Sequence, residues 1–177
     1  MFSSLNKDMF TILEIIDIVI TVGIAGYILA PLTKGNLRQA FAFAGIGIVL
    51  HELGHKFVAL ASGFNAVYHA NYTGLLFGVI LRILGAPLFF VPAYVSISGE
   101  GSNIGFFFTA LAGPLTNLAI FGLTTLLLTK FNHINWVQDN ARFIAALRII
   151  NFWLALINFL PFPGTDGYNA LTSLMRT

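Results

Sequence analysis

Four segments of the chain, 10–30, 40–61, 104–128 and 142–160, are each about twenty residues long and almost without charge. That is the length of helix needed to cross a hydrocarbon core roughly 30 Å thick. Four such runs in 177 residues leave little for a water-facing domain. The composition agrees: 57% of the residues are hydrophobic and 9% are charged, where soluble domains average about 25% charged. This excludes a soluble enzyme and a disordered tail. A net charge of +2 is too small for a phosphate-binding face, so no nucleic-acid partner is expected. The chain has no Cys, which removes disulfides and thiolate metal ligands. The expected architecture is an all-α polytopic membrane protein, a single domain over 1–177 with the lipid bilayer as its solvent. The first ten residues read as a cytoplasmic lead-in, with no small-residue cleavage site before the first apolar run.

A fifth apolar stretch, 74–97, is long enough to span but carries Arg82 in its middle and breaks at Gly85-Ala86-Pro87. Beyond Pro87 it is rich in aromatic and β-branched residues and reads as extended. A re-entrant hairpin, helix in and strand out, fits better than a crossing. Irregular backbone at that depth must be buried in protein or line a wet cavity. Lys7, Lys56 and Arg82 fall on one side in this reading and Lys34 and Arg38 on the other, so charge counting leaves the orientation open.

Within the second apolar run lies His51-Glu52-Leu53-Gly54-His55, an H-E-x-x-H pattern. Residues four apart share a helical face, so both imidazoles can reach one ion. Neutral imidazoles bind zinc, and zinc lowers the pKa of a bound water toward ~7. Glu52 points off that axis, placed to take a proton as water attacks a carbonyl. Counting from Ala40, the pattern begins roughly 17 Å into the run at ~1.5 Å per residue. It therefore lies past the middle of the membrane core, nearer the end marked by Lys56. Polar side chains at such depth are costly and usually functional. The plainer reading, two core histidines bonded to backbone carbonyls, leaves Glu52 without a task.

A catalytic zinc site takes three protein ligands and keeps one position open. The third candidate is Asp166, in Asn158-Phe159-Leu160-Pro161-Phe162-Pro163-Gly164-Thr165-Asp166-Gly167. The prolines end the last apolar helix, and the freed backbone needs a polar cavity. Taken alone, Asp166-Gly167 is equally the signature of an ordinary surface turn.

Three motifs, His51–His55, Ala112-Gly113-Pro114-Leu115-Thr116-Asn117 and Asn158–Gly167, together resemble the signatures of the site-2 protease family of intramembrane zinc metalloproteases. They stand in the family's order, each in its own apolar segment. The resemblance implies a three-helix catalytic core over about 40–167, preceded by an extra helix over about 10–30. This makes four transmembrane helices, with a re-entrant helix/β-hairpin segment in addition. It implies His51, His55 and Asp166 as zinc ligands and Glu52 as the catalytic base. Asn158 would orient substrate or the oxyanion, and Asn117 would have a packing or substrate-positioning role. Thr165 departs from the apolar residue usual before Asp-Gly. The implied activity is hydrolysis of peptide bonds within or next to the transmembrane segments of membrane-protein substrates. The implied location is the cell membrane, with the active site open to the cytosol. The H-E-x-x-H helix would then run inward and the G-P-x-x-N helix would start again from the cytosolic side. An even number of crossings separates the two, so 74–97 cannot span once. Its extended part would offer a strand edge to an unwound substrate.

A competing reading is a metal-ion transporter or channel using the same His and Asp residues for transit; it gives Glu52 and the proline-rich break no specific work. Glu14 and Asp17, three apart on one helical face, are expected close to the interface or partly protonated, with water access as the alternative. His69 and His133 are expected in solvated loops and not as ligands.

Overall fold

The computed structural model describes residues 9–88 and 90–175. It is mostly helical, and four helices are long and apolar enough to cross a membrane: Ile12–Thr33, Leu37–Ala61, Asn103–Lys130 and Ala141–Phe159. This number of apolar helices points to a multi-pass membrane protein. Helix α1 (Ile12–Leu29) opens on a reciprocal cap. The Thr11 hydroxyl accepts from the Glu14 N–H, and the Glu14 carboxylate accepts from the Thr11 N–H. It runs on as a 3-10 turn to Thr33 and reverses through Lys34 and Gly35, both at positive φ.

The second span is built of α2 (Leu37–Phe43), a π turn (Ala44–Val49) and α3 (Leu50–Ala61). Single π turns inside helices are frequent at functional sites, and this one ends just before His51. Helix α5 (Asn103–Lys130) is the long central element. It packs on α3, on α7 (Ala141–Phe159) and on α8 (Asp166–Leu174), and α6 (Asn135–Asp139) bridges α5 to α7. The crossing of α3 on α5 is close because of Gly54. A Cβ there would stand 2.5 Å from the Thr116 hydroxyl and 2.9 Å from the Ala112 carbonyl oxygen.

Between α3 and α5 lie β1 (Asn65–Ala70), α4 (Tyr72–Ile83) and β2 (Ala93–Ser98). At 12 residues α4 is roughly 18 Å long, short of a full crossing. The chain then returns along it in extended form. A Cβ on Gly74 would meet the Val91 carbonyl oxygen at 1.9 Å, so only glycine admits that approach. A helix followed by a strand is what 74–97 leads one to expect, but the strand's partner is not. β2 pairs antiparallel with β1, from Asn65 opposite Ser98 to Ala70 opposite Ala93. The sheet therefore closes around α4, and among the described residues no strand pair forms inside 74–97. Alternation drives it: Ala66, Tyr68 and Ala70 are buried on one face of β1. His69, expected in a loop, stands on β1, 3.0 Å from the Ser96 hydroxyl and stacked on Tyr94.

Glu14, expected close to the interface or partly protonated, is 2% exposed. Its Oε1 accepts from the Lys56 ammonium and from the Tyr68 N–H at 2.8 Å. Lys56 donates as well to the Ala66 carbonyl at 2.9 Å. One buried ion pair thus ties α1, α3 and β1 together just beyond His55. An apolar cluster of Ala25, Ile28, Ala44, Ala70 and Leu75 closes the other side of the same junction.

Candidate metal centre

His51 and His55 are one turn apart on α3 and both are buried. Each ring is oriented through Nδ1 by an oxygen on α5. Nδ1 of His55 lies 2.7 Å from the Thr109 carbonyl oxygen, and Nδ1 of His51 lies 2.5 Å from Oδ1 of Asn117. The Asn117 amide is set the other way round by its Nδ2, which donates to the Gly47 carbonyl at 2.8 Å. A carbonyl oxygen only accepts, so both Nδ1 atoms carry the hydrogen and both Nε2 atoms present lone pairs. This is the usual way a second hydrogen bond fixes a ligand tautomer.

Asp166 arrives from the other end of the chain. Helix α7 stops at Leu160, Gly164 takes a positive φ, and Thr165 caps α8, whose first residue is Asp166. The turn is tight: a Cβ on Gly167 would sit 2.4 Å from the Phe159 carbonyl oxygen. Placing the carboxylate in the first turn of α8 sets it against the positive end of the helix dipole.

Three ligand atoms converge. The two Nε2 atoms are 3.2 Å apart, and Oδ2 of Asp166 lies 3.1 Å from one and 3.3 Å from the other. Oδ2 is buried with no hydrogen-bond partner. Two lone pairs and an anionic oxygen facing one another at this range repel unless a cation lies among them. Zinc with ligands at ~2.0–2.1 Å in tetrahedral array sets its ligand atoms about 3.3 Å apart, matching all three separations. Gly113 leaves the space. A Cβ there would fall 2.2 Å from the His55 Nε2 and 2.6 Å from the His51 Nε2. The residues present therefore fit zinc. Gly113→Ala is expected to cut zinc affinity at least tenfold while the helices still form. Zinc titration against a competing chelator measures this, and wild-type affinity in the variant would contradict the cradle.

The three ligand atoms border a cavity of about 420 Å³, which Glu52 and Asn158 also line. The opposite wall is strand β2, through Ala93, Tyr94, Val95 and Ile97. Among the described residues the Glu52 carboxylate makes no hydrogen bond, and Glu52 lines the cavity. The side-chain amide of Asn158 donates to the Leu154 carbonyl at 3.0 Å. A packing or substrate-positioning role is expected for Asn117 from its motif. It is fully buried, its amide is engaged by His51 and Gly47, and it does not border the cavity. Its side-chain amide is engaged in the packing of α5 against α3 and the π turn. The Thr109 carbonyl was not foreseeable, since backbone leaves no mark in the motif.

No protein-family model matches the chain, and no solved structure matches it significantly. Curated relatives do. "Putative zinc metalloprotease MJ0611" of Methanocaldococcus jannaschii is 32% identical over 169 residues, covering 89% of this chain and 83% of that protein. Rip2 of Mycobacterium tuberculosis, of the same description, is 28% identical, covering 80% of this chain and 63% of its own length. The sll0528 protein of Synechocystis is 31% identical over 82% of this chain, which spans only 33% of that longer protein. The chain belongs to this zinc metalloprotease family, and zinc is its cofactor.

Proposed function

We propose that the chain is an intramembrane zinc endopeptidase, cutting peptide bonds within or beside the transmembrane segments of membrane-protein substrates. The observation that carries this reading is the convergence of His51, His55 and Asp166 in a cavity walled by apolar helices on one side and strand β2 on the other. Zinc held by these three side chains supplies a Lewis acid that acidifies water and polarises a carbonyl. Glu52 takes the proton from the attacking water and returns it to the leaving amide nitrogen as the C–N bond breaks. Burial of the site keeps its charges strong.

A substrate helix hides its peptide bonds, so it must unwind before the reaction. Among the described residues β2 pairs on one edge only, with β1. Its other edge offers unpaired N–H and C=O groups to an extended segment beside the metal centre. In this reading α4 and its extended return are re-entrant, the core spans about 40–167, and the site opens to the cytosolic side. The polar face of Asn158 lies along the cavity for orienting the bound segment.

The test uses the full chain in proteoliposomes with a single-spanning substrate. Cleavage inside or next to the span is expected. A zinc chelator should stop it, and added zinc should restore it. A zinc-loaded protein that cleaves no membrane substrate, and instead moves metal ions across the vesicle wall, would establish transport and overturn the reading.

A further inference from the structure

We infer that Asn151 is a positioning residue for the metal centre, acting on His51 through Asn117. The inference rests on the reading of His51 as a zinc ligand. Asn151 stands in the middle of α7 and is completely buried. A polar amide in an apolar span is costly unless every group is bonded. Its Nδ2 donates to the Leu147 carbonyl at 2.8 Å. A carbonyl only accepts, so this bond decides which end of the amide faces where and leaves Oδ1 toward α5. There Oδ1 accepts from Nδ2 of Asn117 at 2.7 Å.

Asn117 spends its other amide hydrogen on the Gly47 carbonyl at 2.8 Å. Both donors are then used, one on α7 and one on the π turn, and Oδ1 alone can face His51 at 2.5 Å. The order of donors and acceptors runs from the Leu147 carbonyl through Asn151 and Asn117 to the Nδ1–H of His51. It ends at the Nε2 lone pair turned toward His55 and Asp166. Three membrane-crossing segments meet in this relay, so the seating of α7 is read at the metal. Without Asn151, Asn117 is held by one donor bond and one N–H faces a dry interior unpaired. His51 then loses its fixed orientation. His55 is held by the Thr109 carbonyl, outside the relay, and provides an internal control.

The experiment compares wild type, Asn151→Leu and Asn151→Asp in the zinc-loaded full chain. It reads zinc affinity by chelator competition and the low-field ring N–H resonances of the two histidines. Asn151→Leu should weaken zinc binding roughly tenfold, the low end of what an outer partner contributes. Its His51 resonance should move while that of His55 stays. Asn151→Asp, as the neutral acid, keeps an acceptor for Asn117 and a donor for Leu147, and should recover most of the affinity. Asn151→Thr serves if the leucine variant does not accumulate. Its hydroxyl keeps the bond to residue 147, as Thr109 and Thr116 do with Gly105 and Ala112, but falls short of Asn117. Wild-type affinity with an unmoved His51 resonance would overturn the relay. Both histidine resonances moving together would also overturn it, as general loosening. Failure of the wild type to bind zinc would instead remove the metal-site reading beneath it.

Discussion

The Glu52→Gln protein will carry zinc and fail to cleave. Glutamine has nearly the shape of glutamate but cannot accept a proton from water at neutral pH. Positioned acid–base groups contribute typically 10²–10⁴-fold to rate, and a loss in that range is expected in kcat. Zinc content should stay at the wild-type level, because Glu52 is outside the His51, His55 and Asp166 group. The measurement is single-turnover cleavage of a membrane substrate alongside metal analysis of the same sample. Retained activity would take Glu52 out of the chemistry; lost zinc would make it a structural partner of the site.

The second large effect concerns the buried pair beneath β1. Lys56 and Glu14 are each 2% exposed and bonded to each other. Removing one partner of such a pair leaves an uncompensated buried charge and typically costs about 3–5 kcal/mol. Replacing both with apolar residues of similar volume is often neutral. Lys56→Met or Glu14→Leu alone should therefore lower the thermal midpoint of the detergent-solubilised protein by roughly 10 °C. The double substitution should recover most of it. Because the pair anchors β1 through the Tyr68 N–H and the Ala66 carbonyl, the single variants should also lose substrate cleavage before they lose zinc. Single variants as stable as wild type would show that the contact carries no weight.

The parts of this fold that lipid dictates were legible in the sequence. A crossing helix must be contiguous and apolar, so the spans at 10–30, 40–61, 104–128 and 142–160 differ from the observed helices by only a few residues at their ends. The motif around His51 and the proline-rich approach to Asp166 were equally open to reading, because helical spacing and a forced break are local properties. What stayed hidden depends on pairing across distance. Strand β1 is six residues long, and its partner lies beyond the whole of α4. Glu14 was visible as a charge on an apolar helix, but its partner Lys56 is 42 positions away. Asn151 gave a signal that could have been followed, an amide in the middle of an apolar run. Its meaning appears only once α5 brings Asn117 beside it.

The central claim is that one ion binds between two imidazoles from α3 and a carboxylate from α8. Zinc analysis of the purified wild type against Asp166→Ala tests it most directly. The wild type should hold one zinc ion per chain, and the variant should bind it more than ~100-fold more weakly, since losing a ligand exceeds losing an outer partner. Stoichiometric zinc that survives the loss of Asp166, or a wild type that takes up none, would contradict the account.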